Sequence, residues 1–363
     1  MGERVKAPAV AHAVAVLSLI AERARPMTVT TVARELELPR TSVDRACEAL
    51  RVERLLTRGT DGTYWLGPEV AALGATARAT RPRALTFGVL VPDQDNAYYS
   101  AFLTAAGFDV AATGDRLVVR SAGGSVRRQR AQWVELLDAG ADVVLVDSVA
   151  THGFEDLVDG SRDRGVPVVA IGTRIGGVDV SVTSDNVEAG VLAGLQLARA
   201  LPPGARIAVV DGLQKNANAE RIAGFLDVLG DFPDLHFVAR ARGRVEDEES
   251  GRAVIRDLTA EHGDLDGVFA VCDPLALGVH AELVGRPHRT LVTSVDGRSR
   301  AVQEIMADDS FVATVAQDPA GLARSALVAA RDLSEGHWSR QRVVTLPVRV
   351  VSRADAERYE SWG

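Results

Sequence analysis

The chain has 363 residues, of which 47% are hydrophobic and 25% are charged, and its formal net charge is −8. This length fits two or three domains, and the composition excludes wholesale disorder, collagen-like repeats and a bundle of membrane-spanning helices. No apolar stretch reaches the roughly 18–20 residues that a spanning helix needs. The two cysteines, Cys47 and Cys272, lie far apart, which excludes a disulfide framework and fits a reducing compartment.

The charge is unevenly divided along the chain. Residues 1–85 carry 13 Lys or Arg against 9 Asp or Glu, a net charge of +4. The remainder carries 28 basic and 40 acidic residues, a net charge of −12. A small basic module joined to a large acidic one indicates a part that binds a polyanion and a part that senses another ligand.

The amino-terminal stretch has features of both a secretory signal and a domain helix. Arg4 and Lys6 precede the apolar run Ala7–Ala21, which is the charge pattern of a signal. Against export, His12 interrupts the run, and no small-x-small cleavage site follows it. The apolar residues also recur at the spacing of an amphipathic helix that faces a core. The sequence therefore favours a domain helix and a cytoplasmic protein.

Two further helices joined by a short turn are predicted next. Thr30 is a candidate N-cap for a helix that ends near Leu36, and Pro39 keeps the residue before it out of helical geometry. The next helix runs from about Arg40 to Glu53, with apolar residues at i, i+3, i+4 and i+7 on its buried face. Such a pair of helices is the helix-turn-helix that enters a major groove. The polar residues at the leading edge of the second helix are Arg40, Thr41, Ser42 and Arg45.

A β-hairpin is predicted after these helices. Leu55–Arg58 and Thr63–Leu66 flank Gly59–Gly62, a turn whose residues accept positive φ. Three helices and a hairpin make a winged helix. The stretch PMTVTTVARELELPRTSVDRACEALRVERLLTRGTDGTYWLGPEVAALG resembles the DNA-binding domain of the IclR family, and the resemblance covers about residues 8–75.

DNA contacts are predicted on the exposed face of this module. We expect Arg40, Thr41, Ser42 and Arg45 to contact DNA, and Arg58 on the wing to contact phosphate. The alternative for these arginines is a solvated helix face. Asp44 and Glu48 lie on the same helix and limit how much of its exposed face can approach DNA.

The rest of the chain predicts an α/β protein. Residues 76–83 are small, basic and punctuated by proline, so we place a linker there, between a winged helix at 1–75 and a large module at 84–352. Beyond the linker, β-branched runs alternate with helical stretches, which is the signature of parallel sheets and here suits two doubly wound lobes. The predicted strands are Leu85–Val91, Leu117–Arg120, Val143–Val146, Val166–Ile171, Ile207–Val210, Val268–Val271 and Leu291–Val295.

No catalytic motif is found in the large module. The sequence lacks the glycine-rich phosphate loops, the H-E-x-x-H zinc motif and the G-x-S-x-G nucleophile motif. The seven histidines are scattered without the spacing of metal ligands. We therefore expect a protein that is not an enzyme and has no metal and no cofactor. A hydrolase or isomerase is the alternative, and it would need a nucleophile–base pair.

Polar residues follow the predicted strands, where a ligand between two lobes would lie. The six sequence segments that carry these residues are VPDQDNAYYSAF, VVAIGTRI, SVTSDNVEAG, FAVCDPLALG, TSVDGRSR and FVATVAQDPAGLA. They resemble the periplasmic sugar-binding protein fold, and especially the effector domains of LacI-type regulators and ribose-binding proteins, over nearly all of residues 84–352. The resemblance implies a type I periplasmic binding protein architecture, with residues 353–363 left as a tail that we expect to be a surface helix.

The same resemblance implies a set of sugar-binding residues. One of two adjacent tyrosines packs on a sugar ring, and Asn96 binds a hydroxyl. Arg174 donates to the ring oxygen and hydroxyls, and Asp296 accepts two hydroxyl bonds. The alternatives are a surface salt bridge for Arg174 and a turn position before Gly297 for Asp296. The full set is Asn96, Tyr98, Tyr99, Arg174, Asp273, Asp296 and Gln317.

Three positions depart from the family pattern. Thr173 stands where an Asp precedes Arg174, Cys272 stands where an Asn precedes Asp273, and Ala219 stands where an Arg is expected six residues before Phe225. A site built for hydroxyls loses heavily when partners go unpaired. The expected ligand is therefore not simple ribose but a different or modified sugar, a polyol or a nucleoside-like molecule.

These observations predict a cytoplasmic, ligand-responsive DNA-binding regulator. Small-molecule binding between the lobes would change the affinity of a homodimer for a palindromic operator. An exported solute-binding receptor of a sugar transporter is the alternative, because it shares the large module. That alternative leaves the winged helix unexplained.

Overall fold

The computed structural model describes residues 8–23, 25–73, 83–336 and 342–363. The chain divides into two compact units, residues 1–83 and 84–363, which we describe separately. Of the predicted linker, residues 76–82 lie outside the described residues.

The amino-terminal unit is a helical domain with a small sheet. Its apolar core includes Val16 and Ile20 from the first helix and Val43, Cys47 and Leu50 from the third, all buried together. The buried Cys47 thiol has its pKa raised to about 11, chiefly by burial, so it is a small core residue. The helices are α1 (Pro8–Arg23), α2 (Val29–Glu35), α3 (Arg40–Val52) and a further helical stretch, α4, at residues 68–73.

The turn between the first two helices corrects one prediction. Thr28, not Thr30, caps α2, because its hydroxyl accepts a hydrogen bond from the backbone N–H of Thr31 at 3.2 Å. The predicted wing is confirmed: β2 (Leu56–Arg58) pairs antiparallel with β3 (Thr63–Leu66). Gly62 adopts a φ of +79° in the turn, which a side chain would strain. The short strand β1 (Met27–Thr28) also pairs with β3.

The second unit contains two six-stranded sheets, each covered by helices. The first sheet, which defines lobe 1, has the order β14-β8-β7-β6-β4-β5 with all neighbours parallel. Its four central strands, β8, β7, β6 and β4, are almost entirely buried, as expected for a parallel sheet between helical layers. The elements of lobe 1 are β4 (Thr86–Val91), α5 (Ala97–Thr113), β5 (Arg116–Ser121), α6 (Val126–Asp138), β6 (Val143–Val146), α7 (Glu155–Asp163), β7 (Val168–Ile171), β8 (Val180–Ser184), α13 (Pro319–Ser334) and β14 (Arg342–Leu346).

The second sheet defines lobe 2 and has the order β10-β9-β11-β12-β13-β15, with only β15 antiparallel to its neighbour. Its core holds Phe225 stacked on Phe269, with ring centroids 4.5 Å apart. The elements of lobe 2 are α8 (Asn186–Ala200), β9 (Arg206–Asp211), α9 (Asn216–Gly230), β10 (His236–Arg242), α10 (Glu248–His262), β11 (Gly267–Ala270), α11 (Asp273–Leu283), β12 (Leu291–Asp296), α12 (Ser299–Ala307), β13 (Phe311–Ala316), β15 (Arg349–Ser352) and α14 (Arg353–Ala356).

The chain passes between the lobes three times. The crossings lie between β8 and α8, between β13 and α13, and between β14 and β15. Asp185 caps α8 at the first crossing, since its carboxylate accepts from the N–H of Glu188 at 3.0 Å. Three adjacent crossings form a hinge, about which the two lobes can rotate as rigid bodies to open and close the cleft between them.

The tail at residues 353–363 differs from the predicted surface helix. Only Arg353–Ala356 is helical, and the following residues pack against both lobes. The Trp362 indole N–H donates to the Gln317 carbonyl at 3.3 Å, and the Trp362 ring meets the Tyr98 ring edge-on at 5.8 Å. Tertiary contacts therefore hold the segment that local sequence left undefined.

Candidate ligand cleft and nucleic-acid interface

A polar cavity lies between the lobes, at the carboxyl ends of the parallel strands. The space open to the centres of water molecules is about 50 Å³. Residues from both lobes line it, as the topology of open α/β sheets dictates. The lining residues are Asn96, Tyr98, Tyr99, Asp147, Gly172, Thr173, Lys215, Ala217, Asn218, Arg221, Glu246, Cys272, Pro274, Asp296 and Gln317.

Asp296 is the central carboxylate of this cavity. It ends β12 with a φ of +143°, an uncommon conformation for a residue other than glycine and one that concentrates at functional sites. One carboxylate oxygen accepts from the Gln317 amide at 2.7 Å, and the other from the Asp273 backbone N–H at 3.2 Å. Burial and the nearby Asp273 carboxylate raise the pKa of Asp296 to about 7, against the opposing effect of Arg221.

Asp273 lies behind Asp296 and does not line the cavity. Its side chain is fully buried and accepts hydrogen bonds from Ser294 Oγ at 2.5 Å, Thr314 Oγ1 at 2.7 Å and the Arg298 backbone N–H at 2.8 Å. Burial raises its pKa, and these donors oppose that shift. The structure thus gives this predicted ligand residue a supporting position, where it fixes the loop that carries Asp296.

The element Asn96–Tyr99 lies at the start of α5. Asn96 caps the helix by accepting from the Tyr98 N–H at 3.0 Å, and it also lines the cavity. The Tyr99 hydroxyl donates to Asp147 Oδ2 at 2.9 Å. The sequence predicts that one tyrosine of the pair meets ligand, and the structure places both Tyr98 and Tyr99 in the lining.

An ion pair crosses the cavity from lobe to lobe. Lys215 of lobe 2 places its ammonium 3.2 Å from Asp147 Oδ1 and 3.0 Å from the Tyr99 hydroxyl, both of lobe 1. Both charged side chains are buried. Burial raises the pKa of Asp147, and the Lys215 charge opposes that shift. Sequence reasoning missed both residues, although Asp147 directly follows a predicted strand and Lys215 is one of only two lysines in the chain.

Arg221 supplies the second cation of the cavity. Its Nε donates to Asn186 Oδ1 at 3.0 Å and its Nη1 to the Val271 carbonyl at 2.7 Å, so the guanidinium is fixed. Its Nη1 also lies 3.7 Å from Asp296 Oδ1. The family resemblance implies an arginine at position 219, which is Ala219 in this chain, whereas Arg221, two residues later on the same helix, lines the cavity.

Arg174 lies outside the cavity lining. Its guanidinium forms an ion pair with Glu220 of lobe 2, so it has no geometric support as a sugar donor. The Arg174 backbone also contacts lobe 2. The Asn216 side chain accepts from the Arg174 N–H at 3.1 Å and donates to the Arg174 carbonyl at 2.8 Å. The Asn216 N–H also donates to Thr151 Oγ1 at 3.0 Å. We call these contacts among Thr151, Arg174, Asn216 and Glu220 the interlobe seam.

Two further cavity residues were not singled out from the sequence. Glu246, in the loop after β10, accepts from the Asn218 amide at 2.7 Å and from the Leu213 N–H at 3.1 Å. Asn218 lies on the first turn of α9 and is buried. No local sequence pattern predicts that Glu246 lines the cavity. Its position follows from the pairing of β10 with β9, which brings the loop after β10 to the cavity.

The predicted DNA-contacting residues lie on α3 and on the first strand of the wing. Arg40, Thr41 and Arg45 are exposed and Ser42 is half-buried, all on the first turns of α3. Among the described residues, neither Arg40 nor Arg45 forms an ion pair. In contrast, Arg51 near the end of α3 is bound to Glu48 at 2.6 Å. Arg58 on the wing lies over the Tyr64 ring, 5.6 Å from its centroid.

No cluster of His, Cys, Asp and Glu within residues 8–23, 25–73, 83–336 and 342–363 has the arrangement of a metal site. No helix in the same ranges has both the length and the apolar character to cross a membrane.

The fold and the cavity define a two-lobed α/β binding protein joined to a helix-turn-helix domain. The model of the periplasmic binding protein domain family matches residues 87–337, and the model of the IclR helix-turn-helix domain matches residues 9–59. The chain therefore belongs to the periplasmic binding protein domain family and carries an IclR helix-turn-helix domain at its amino-terminal end.

Individual relatives agree with this assignment. The chain is 27% identical to the ribose import binding protein RbsB of Bacillus subtilis, over 74% of this chain and 87% of that protein. It is 26% identical to the xylitol-binding protein of Mycolicibacterium smegmatis, over 74% of this chain and 79% of the relative. A solute-binding protein from Mycobacterium smegmatis with bound glycerol superposes with a TM-score of 0.71 at 25% identity, covering 77% of this chain and 99% of that structure.

Proposed function

We propose that this protein is a DNA-binding transcription regulator that senses a sugar or sugar-like compound in the cleft between its two lobes. The single observation that carries the proposal is the presence, in one chain, of an IclR helix-turn-helix domain and a sugar-binding fold. Helix α1 adds support, since Val16 and Ile20 are part of the winged-helix core. In this proposal Pro8–Arg23 serves as a helix of the DNA-binding domain of a cytoplasmic protein.

The cleft chemistry favours an uncharged, polyhydroxylated ligand. Asp147 pairs with Lys215, and Asp296 lies beside Arg221, so carboxylates and cations alternate around the cavity. A hydroxyl group can donate to a carboxylate and accept from a cation, so it suits such an alternation. The relatives named for ribose and xylitol bind ligands of this class. The proposed ligand-binding set is Asn96, Tyr98, Tyr99, Asp147, Lys215, Arg221, Asp296 and Gln317.

The winged helix supplies the DNA contacts in this proposal. Arg40, Thr41, Ser42 and Arg45 reach base edges and backbone in a major groove, and Arg58 contacts a phosphate beside it. Two copies of the chain bind the half-sites of a palindromic operator. Sugar binding favours the closed lobes and changes operator affinity by about 1–3 kcal/mol, the usual range of coupling between two sites.

The test separates the two modules. The full-length protein is used to select its DNA sequence from a random library, and binding of that sequence is then measured with and without sugars and polyols. Arg45→Ala should weaken DNA binding and leave sugar affinity intact, whereas Asp296→Ala should do the reverse. Arg51→Ala is the matched control, because Arg51 lies on the same helix but is bound to Glu48. Folded variants that each lose both activities would contradict a modular regulator.

A receptor for sugar import is the second candidate. It is favoured by the curated relatives named as ribose import binding proteins. Cell fractionation distinguishes the two functions. Recovery of a chain cleaved near its amino-terminal end, outside the cytoplasmic membrane, would support the receptor and contradict the regulator.

A further inference from the structure

A second cavity lies beside the ligand cleft, on the outer side of the interlobe seam. Its volume is about 520 Å³. Lobe 1 contributes the loop 150–152, and lobe 2 contributes the segment 211–219 together with Arg240 and Arg242 of the edge strand β10. We call this cavity the arginine pocket.

The arginine pocket contains one carboxylate and two guanidinium groups. Arg240 donates to Asp211 Oδ2 through Nε at 3.1 Å and Nη2 at 2.6 Å. Arg242 donates to the same oxygen through Nε at 3.0 Å and Nη2 at 2.7 Å. The other Asp211 oxygen accepts from the Gly212 N–H at 2.7 Å. Lys215 also lines the pocket, but its charge is balanced by Asp147, which lies outside the lining. The two guanidinium groups and the Asp211 carboxylate therefore leave one positive charge that no acidic group of the pocket balances.

The second guanidinium is not needed to neutralise the buried acid. Asp211 is 1% exposed, and a single arginine donating two hydrogen bonds would satisfy its charge. Asp211 carries a single negative charge, so it offsets only one of the two guanidinium charges that it holds next to each other. Alternate residues of a strand share one face, so Arg240 and Arg242 are placed side by side by the strand itself. A surplus cation in a concave site points to a second anion.

Both guanidinium groups keep donors for such an anion. Their side chains are 39% and 41% exposed, and the Nη1 atom of each makes no hydrogen bond within the part of the chain that the structure describes. His152 of lobe 1 adds an imidazole that is 89% exposed, with Nδ1 3.5 Å from the Glu155 carboxylate outside the pocket. Asp211 is the only acidic side chain among the described residues that line the pocket. The planar donors of two arginines match the oxygens of a phosphate group.

We infer that the arginine pocket binds a phosphate group of a small metabolite. Because the pocket is lined by both lobes, phosphate binding favours their closed arrangement and, by linkage, raises affinity in the sugar cleft. Lys215 lines both cavities. The phosphate can therefore belong to a separate compound or to the molecule that occupies the cleft.

The experiment titrates inorganic phosphate into the full-length protein, in a buffer free of phosphate and sulfate, by calorimetry and thermal unfolding. Saturable binding is expected. Arg242→Gln should weaken phosphate binding about tenfold or more, the scale of hydrogen bonds to charged groups, while Arg240 remains to pair with Asp211. Arg256→Gln is the control, because Arg256 is an exposed arginine of α10 with its own partners, Glu249 and Glu282.

A second variant keeps the test informative if Arg242→Gln fails to fold. His152→Asp removes no buried contact and places a negative charge at the pocket, so it should also weaken phosphate binding. Titrations of xylitol and xylitol 5-phosphate, a polyol and its phosphate ester, identify the source: a preference for the phosphorylated polyol that Arg242→Gln abolishes assigns the phosphate to the cleft ligand. Inorganic phosphate that binds together with xylitol assigns it to a separate compound. Failure of inorganic phosphate to bind, or binding unchanged in both variants, would overturn the inference.

Discussion

Lys215 and Asp147 join the two lobes across the cleft, with 3.2 Å between the ammonium nitrogen and the nearer carboxylate oxygen. Each side chain is at most 6% exposed, so the charges compensate each other out of contact with bulk water. The Tyr99 hydroxyl is part of the same group, since it donates to Asp147 and accepts from Lys215. Removing one partner of such a buried ion pair strongly destabilises the folded protein, because the remaining charge is left buried without a counter-ion.

The Lys215→Met variant should lower the free energy of unfolding by about 3 kcal/mol, because it leaves the Asp147 carboxylate buried without a cation. The double variant with Asp147→Asn should recover most of that loss, since no unpaired charge remains. Urea unfolding of the wild type, both single variants and the double variant measures the coupling. Arg162→Met, which breaks the exposed pair with Asp159, is the control and should cost less than about 1 kcal/mol. Additive effects of the two cleft substitutions would contradict the coupling.

The elevated pKa of Asp296, about 7, makes sugar binding depend on pH. The ionised carboxylate accepts ligand hydroxyls more strongly than the protonated acid, so affinity should fall as the pH is lowered from 8 to 6. Calorimetry at several pH values measures this dependence. The Asp296→Asn variant, which cannot ionise, should bind weakly and show a flatter profile. A wild-type profile as flat as that of the variant would show that Asp296 does not titrate in this range.

The same pKa has the opposite effect on the stability of the unliganded protein. Because the folded-state pKa lies above the unfolded value of about 3.9, the folded state binds the proton more tightly. The contribution of Asp296 to stability is therefore fully present below about pH 4 and is lost as the pH rises through about 7. As the pH rises, stability should therefore fall while sugar affinity rises. Both dependences come from the Asp296 carboxyl group, so the Asp296→Asn variant should show neither.

Arg174 is expected to influence sugar affinity through the interlobe seam and not by touching the ligand. Arg174→Ala removes an exposed ion pair with Glu220, so the closed arrangement should be less populated and apparent affinity should fall about threefold. Asn216→Ala, which removes the side-chain bonds to the Arg174 backbone, should have a similar effect. Small-angle scattering of the unliganded variants should show a larger radius of gyration. A loss of affinity in Arg174→Ala alone, with unchanged scattering, would instead support direct ligand contact.

The architecture was predictable where the sequence pattern is strong. The seven predicted strands each overlap a strand of the structure, because buried parallel strands are continuous apolar runs. Strand β10 (His236–Arg242) was missed, since it lies at a sheet edge and alternates with arginines. Strand β8 (Val180–Ser184) was missed because its polar residues are buried by hydrogen bonds, such as that from Thr183 Oγ1 to the Gly172 carbonyl at 2.8 Å.

The site was predictable at the strand ends and less so elsewhere. Asp296 and Gln317 follow strands of one sheet, so their meeting in the cleft follows from topology. Arg221 enters from the face of a helix, and its orientation depends on Asn186, 35 residues earlier. The orientation of Arg174 likewise depends on Glu220, 46 residues later. Local sequence carries no signal for such pairings.

The tail residue Trp362 should tune sugar affinity, although it lies outside the cavity lining. Its carbonyl accepts from the Ser299 N–H at 2.9 Å, which holds it on lobe 2, while its ring contacts Tyr98 of lobe 1 at 5.8 Å and 70°. Edge-to-face aromatic pairs contribute about 0.5–1.5 kcal/mol, so Trp362→Ala should weaken sugar binding by about two- to tenfold as Tyr98 loses its neighbour. Trp362→Phe retains an aromatic ring and should keep most of the affinity. Calorimetry with a sugar or polyol that binds the wild type provides the measurement, and Trp65→Ala, in the winged helix, controls for the loss of a tryptophan. Equal affinity in the wild type and Trp362→Ala would show that the tail contact with Tyr98 plays no part in ligand binding.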